Sequence, residues 1–137
     1  MAKDLFHDAV KAGLKKDGWK SIRDNVQVQT GGVELYIDLM ADKLVVAEKD
    51  GEKIAVEIKS FVQPSDIYEF HLAVGQVRNY QLALAIEDPD RLLYLAVPDE
   101  TYDRFFVLPF VQQAVRYNEL NILVYNIDKK EIVQWIK

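Results

Sequence analysis

Apolar and polar positions alternate along this chain with two periods, and the period changes mark its elements. From Asp4 to Asp17, Leu5, Phe6, Ala9, Val10 and Leu14 recur at helical spacing with lysines opposite, which predicts an amphipathic helix. Gly18 follows as a natural stop. Trp19 and Ile22 are then expected to anchor the helix to the core. A short strand is predicted at Val26–Val28, a turn at Gly31-Gly32 and a strand over Leu35–Met40. Leu44–Lys49 and Lys53–Lys59 flank Asp50-Gly51, a strong hairpin signal. In the second arm Ile54, Val56 and Ile58 alternate with Ala55, Glu57 and Lys59. Side chains two apart share a face, so Glu57 and Lys59 point the same way and the aliphatic residues the other.

Pro64-Ser65-Asp66 opens a long helix predicted to run to about Ile86. Ile67, Phe70, Val74, Val77 and Leu84 are its expected buried stripe, with Gln76 and Tyr80 together on an adjoining one. Asp88-Pro89-Asp90 breaks it. Leu92–Val97 reads as a buried central strand, Pro109–Tyr117 as a shorter helix, and Ile122–Tyr125 with Ile132–Ile136 as a closing strand pair. The order predicts an α/β (α+β) fold with a mixed central sheet flanked by helices.

Length and charge narrow the function. The 137 residues are expected to form one domain over positions 1–137. The absence of cysteine excludes a disulfide framework, thiolate zinc and a cysteine nucleophile. His7 and His71 are too few and too distant to argue for zinc. No apolar run is long enough to span a bilayer and no signal-peptide core is present, so no membrane association and a cytoplasmic location are expected. The net charge of −5 counts against a dedicated nonspecific nucleic-acid binder. Lys11, Lys15, Lys16, Lys20 and Arg23 make a local basic strip, which also reads as a solvated helix face. Trp19, Trp135, Tyr36, Tyr94 and Tyr125 are expected to pack in the core or at edges, and Arg78 to be a surface arginine.

The chemistry lies in Asp38 and, further on, Glu57-Ile58-Lys59. Each sits in an apolar, strand-like run. Two carboxylates, with the Ile58 carbonyl as an extra ligand, suit Mg²⁺ or Mn²⁺, which favour oxygen donors and retain waters. Such an ion activates water and neutralises phosphoryl charge, and Lys59 can orient the water or stabilise developing charge. A structural alternative stands beside this one. Glu and Lys two apart are common on exposed strands, and an interior ion pair with Lys59 satisfies Asp38 without catalysis.

These residues and their order resemble the PD-(D/E)XK nucleases. In them a helix precedes a strand meander carrying Asp and then (Asp/Glu)-x-Lys, and another helix follows. The resemblance implies a catalytic set of Asp38, Glu57 and Lys59, with Gln76 assisting and Tyr80 one turn later. Relatives often add a glutamate from the first helix. Here His7 or Asp8 would stand in, and Ile37 replaces the proline that often precedes the aspartate.

A closer likeness spans essentially the whole chain. Ala2-Lys3-Asp4-Leu5-Phe6-His7, Lys16-Asp17-Gly18-Trp19, Ala47-Glu48-Lys49, Ile54 through Phe61 and Gly75-Gln76-Val77-Arg78-Asn79-Tyr80 resemble the XisH family, fdxN-element excision controlling factors of cyanobacteria. That resemblance implies a role in developmentally regulated excision of a DNA element, beside a site-specific recombinase and the companion factor XisI. Three readings follow. One is a Mg²⁺-dependent endonuclease acting on DNA. Another is a catalytically inactive nuclease-fold accessory subunit that binds a partner protein or the recombinase. The third is a toxin–antitoxin-like pair in which the companion restrains a nuclease. Nucleases of this type often act as dimers, and the C-terminal strands are the expected pairing edge of a homodimer.

Overall fold

The computed structural model describes residues 2–26, 28–30, 33–35 and 44–137. Asp38, Tyr36 and the Gly31-Gly32 turn lie outside the described residues. Helix α1 (Ala2–Lys16) leads into strand β1 (Lys20–Val26), a small hairpin of β2 (Val28–Thr30) and β3 (Val33–Leu35), and a second hairpin of β4 (Leu44–Lys49) and β5 (Glu52–Ile58). Helix α2 (Asp66–Glu87), strand β6 (Arg91–Pro98), the helical turn α3 (Asp99–Thr101), a π-helical turn (Tyr102–Phe106), helix α4 (Pro109–Tyr117) and the pair β7 (Asn121–Asn126) and β8 (Glu131–Ile136) complete the chain.

Six strands form one sheet in the order β1-β4-β5-β6-β7-β8, while β2 and β3 pair only with each other. β5, β6 and β7 run parallel in the middle, and antiparallel partners close both sides. β4 and β5 are joined tightly because Asp50 and Gly51 both adopt positive φ, at 50° and 83°. That is the conformation a two-residue hairpin turn demands and that Gly accepts without steric cost. Ser65 caps α2, its hydroxyl accepting from the Tyr68 amide at 3.2 Å.

Each face of the sheet is covered by its own helices. On one side Ala9, Val10 and Leu14 of α1 pack with Val45, Ala47, Ile54, Val56, Ile58, Tyr94, Ala96, Leu123 and Tyr125. Trp19 joins this layer and Ile22 packs at its margin, as the sequence predicted. Trp135 stacks on Trp19 at 5.7 Å and meets Tyr94 edge-on at 4.9 Å, so these rings are packing elements. On the other side Leu44, Val46, Ala55, Leu93, Leu95, Val97, Ile122 and Val124 lie under α2, the π-turn and α4.

Three expectations change in detail. Where the pattern predicts one short strand at Val26–Val28, β1 spans Lys20–Val26 and β2 spans Val28–Thr30. Leu5 is 58 % exposed, so the buried stripe of α1 is narrower than its spacing suggested. Ile67 is 39 % exposed, and the buried face of α2 is Phe70, Ala73, Val77, Tyr80, Ala83 and Leu84. α2 carries apolar residues on two opposite faces, so periodicity alone does not single out the stripe that meets the sheet. No described helix is long and apolar enough to cross a membrane.

Candidate functional site

Strict alternation along β5 decides where its polar residues go. Ile54, Val56 and Ile58 enter the α1 layer. Glu57, one step out of phase, lies opposite Leu44 on β4 and Leu95 on β6, both members of the α2 layer. Its side chain is fully buried. A carboxyl inserted among leucines loses its hydration, which is costly unless polar groups replace it. Lys59 brings one such group from the same face. Its amide donates to the Ala96 carbonyl at 3.0 Å, extending the parallel pairing one step beyond β5. Its Nζ stands 3.8 Å from Glu57 Oε1, and its side chain is almost as well covered.

From α2, Tyr80 is buried in that layer, and the Gln76 Oε1 atom is buried without a hydrogen-bond partner among the described residues. An orphaned amide oxygen of this kind costs roughly 1–3 kcal/mol, so it is an expensive feature to keep in a helix that has other apolar choices.

The connection from Lys59 to α2 is clamped. Phe61 is buried at a φ of 53°, a strained left-handed backbone for a bulky residue. Arg104 of the π-turn donates to the Phe61 carbonyl at 3.4 Å and grips Asp66 through Nε and Nη2 at 2.8 and 3.0 Å. The Asp66 carboxyl is thereby held below its ordinary pKa, the hydrogen bond from Arg104 being the largest cause. Rings from Phe61, Phe70, Phe105 and Phe106 interlock beneath it. Sequence reasoning assigned nothing to Arg104 or Phe61. Their signal is purely tertiary, since 43 positions separate them.

The remaining candidates fall in different places. Asp38 lies outside the described residues. The structure does locate the hairpin, however: it joins β5 to β4, and the residue opposite Glu57 is Leu44, six positions after Asp38. Ile58 closes β5, with its side chain in the α1 layer. His7 is engaged elsewhere, its Nε2 3.0 Å from Asp24 Oδ2 while Lys11 Nζ meets the same oxygen at 2.8 Å. Asp8 and His71 are exposed. Arg78 is an exposed helix arginine, donating to Gln81 Oε1 and the Asn118 carbonyl. Among the described residues no group of three or more His, Asp or Glu is arranged to hold a metal.

Two broad concavities lie apart from Glu57. One of about 570 Å³ is lined by Trp19, Tyr94 and Trp135 near the β4–β5 turn. The other, of about 470 Å³, lies between α4 and the end of β8. Neither includes Glu57, Lys59 or Gln76.

The XisH protein family model matches residues 1–133. Among solved structures, an XisH family protein from Nostoc punctiforme PCC 73102 is 45% identical, with a TM-score of 0.88 over 98% of this chain and 100% of that one. A fdxN element excision controlling factor protein from Anabaena variabilis is 47% identical, again with a TM-score of 0.88, over 98% of this chain and 99% of that one. No curated protein matches the chain.

Proposed function

The chain belongs to the XisH family, and from that premise we propose that it serves excision of a DNA element through a metal-dependent phosphodiester-cleaving site on a PD-(D/E)XK-type core. The observation that carries this reading is the burial of Glu57 and Lys59 on one sheet face beneath α2, a helix in which the Gln76 oxygen is itself buried without a partner among the described residues. A solvated strand pair would be exposed, and these two are not. The Anabaena relative's name supplies the biological setting.

The donor set suits a hard cation. Glu57 is the carboxylate donor, Asp38 the second, and the Ile58 carbonyl a neutral oxygen. Mg²⁺ is satisfied by one or two carboxylates and several waters. When bound, it would acidify a water and neutralise charge on the phosphoryl oxygens. The chain's own residues do the rest. Lys59 holds an ammonium beside the carboxyl of Glu57, where it orients a water or meets developing negative charge. Gln76 offers a buried amide that positions the same water. Leu44, Leu95 and the α2 layer keep bulk solvent off the pair, which strengthens each electrostatic contact. The Arg104 clamp on Phe61 and Asp66 fixes the backbone that follows Lys59. The companion factor XisI and a site-specific recombinase are the partners this role calls for.

An accessory role without cleavage is the second reading. It is favoured by the net charge of −5, since dedicated nucleic-acid binders usually carry a basic footprint. The test is nicking of supercoiled plasmid by the purified protein in Mg²⁺ or Mn²⁺, beside Lys59→Ala and an EDTA control. Binding of Mn²⁺ by calorimetry is followed in parallel on wild type and Glu57→Gln. Metal-dependent nicking lost in Lys59→Ala, with Mn²⁺ binding lost in Glu57→Gln, is the expected result. No cleavage with or without the companion, and no difference in Mn²⁺ binding, assigns the chain the accessory role.

A further inference from the structure

α2 carries apolar side chains on two sides. Phe70, Ala73, Val77, Tyr80, Ala83 and Leu84 face the sheet. On the outer side Tyr68, Leu72, Leu82 and Ile86 are 59, 45, 63 and 59 % exposed. Gly75 and Asn79, between them, are exposed too. These six positions follow one another at intervals of 4, 3, 4, 3 and 4 residues. That is the seam spacing of a helix packed lengthwise on another helix. No charged residue interrupts it, although the outer face of a surface helix is ordinarily polar.

Gly75 supplies an independent sign that something covers this face. A glycine in the middle of a 22-residue helix costs about 1 kcal/mol relative to alanine. Among the described residues nothing asks for it, because a Cβ there would meet no atom within 4 Å. Close approach of another backbone would.

The spacing also says which backbone. Positions 68 and 86, 72 and 82, and 75 and 79 are each centred on position 77. Two copies of α2 laid antiparallel about a two-fold axis level with Val77 therefore match at every step. Tyr68 meets Ile86 of the partner subunit, Leu72 meets Leu82 of the partner subunit, and Gly75 receives Asn79 of the partner subunit. A two-fold dimer needs such a self-complementary patch. Arg78, beside the axis, is drawn toward α4 by Gln81 and the Asn118 carbonyl, so like charges do not meet there. The C-terminal end of α4 is held against α2 by Arg78 and Gln81, and α4 carries two more exposed rings, Phe110 and Tyr117, 66 and 86 % exposed. With them the exposed apolar side chains of α2 and α4 amount to roughly 700 Å² per chain, close to one partner's share of a standard interface.

We propose that the outer face of α2 is a homodimer interface in which two copies of this chain pack antiparallel along the Tyr68–Ile86 seam. This places the contact on α2 rather than on the C-terminal strands expected from the sequence. The proposal does not depend on the reaction assigned to Glu57 and Lys59.

Sedimentation equilibrium of the full chain at high micromolar concentration tests it. The expected mass is twice the 15.8 kDa of one chain. Leu72→Lys and Leu82→Glu are each expected to weaken association by about a hundredfold. Both positions are exposed, so unfolding midpoints should stay close to wild type. The double variant Leu72→Lys/Leu82→Glu is expected to associate again, because the two new charges meet across the antiparallel axis. In a parallel pair each would face its like. A wild type that stays monomeric overturns the proposal and gives the seam to a chain of different sequence. A dimer that persists in both single variants also overturns it, and a double variant that stays monomeric overturns the antiparallel register.

Discussion

On the α1 side of the sheet, β5 presents Ile54, Val56 and Ile58 to a dry layer of aliphatic and aromatic side chains. On the α2 side the same strand presents Ala55 and then Glu57, with Lys59 just beyond it. The first face follows the ordinary rule that a strand buries branched aliphatics. The second breaks it at the fully buried Glu57, under a helix in which the Gln76 oxygen has no partner among the described residues. The polar ions of the α1 side are arranged differently. His7, Lys11 and Asp24 meet at the rim, where Asp24 keeps about a third of its side-chain exposure. The contrast separates a layer that stabilises the fold from one that spends stability on a polar site. Exposed or half-exposed ion pairs contribute little, whereas buried ones are sensitive to loss of either partner.

The largest expected effect sharpens that contrast directly. Lys59→Met leaves the buried Glu57 carboxyl without its ammonium and is expected to cost about 3 kcal/mol in urea unfolding. Adding Glu57→Gln should recover at least half of that loss, since the buried charge goes with it. A cost near zero for Lys59→Met would mean the pair is solvated and the two faces are not different in kind.

Next in size is a pair of helix glycines that look alike in sequence. In α1, a Cβ on Gly13 would stand 2.9 Å from Ile132 Cγ1 and 3.1 Å from the Ile132 amide nitrogen. Gly13→Ala is therefore expected to destabilise the chain by about 1–3 kcal/mol through crowding against β8. Gly75→Ala, made in the dissociated Leu82→Glu background, should instead stabilise by up to about 1 kcal/mol through helix propensity. Thermal unfolding of the two variants reads both signs at once. Equal signs would break the distinction between a glycine needed inside the fold and one exposed on its surface.

The smallest effect concerns the rim cluster. The hydrogen bond from Lys11, followed by the one from His7, holds the Asp24 carboxyl at a pKa of about 2, below its ordinary 3.8. A depressed carboxyl contributes stability above its unfolded value and loses it as pH falls through the folded one. The gap between wild type and Asp24→Asn should thus be constant above about pH 5 and close between 3.8 and about 2. Its size is expected to be about 1 kcal/mol or less, given the solvent screening at this site. Denaturant midpoints measured across that pH range check it. A gap that does not narrow on acidification would remove Asp24 from the ion cluster.

Much of this architecture was legible locally. Asp50-Gly51 announces its hairpin because both residues accept positive φ, and Pro64-Ser65-Asp66 announces α2 because Ser65 satisfies an orphan amide. Period-two alternation placed Glu57 and Lys59 together on one face. The buried side of α2 was not legible, since a helix with apolar residues on two opposite faces gives no preferred stripe until the sheet covers one of them. Nor was the Arg104 clamp, which depends on where a π-turn brings a guanidinium 38 residues away from its aspartate.

By itself, then, the sequence determined the three longer helices, the Asp50-Gly51 hairpin, the phase of β5 and the family, because these depend on residues within a turn or two of each other and on their order. Tertiary structure alone decided that β1 pairs with β4 while β2 and β3 stay apart from the main sheet. It also decided that Glu57 is wholly buried and that two mid-helix glycines have opposite surroundings. Those outcomes rest on which surfaces exclude water together, and that is a property of packed layers rather than of any local run of residues.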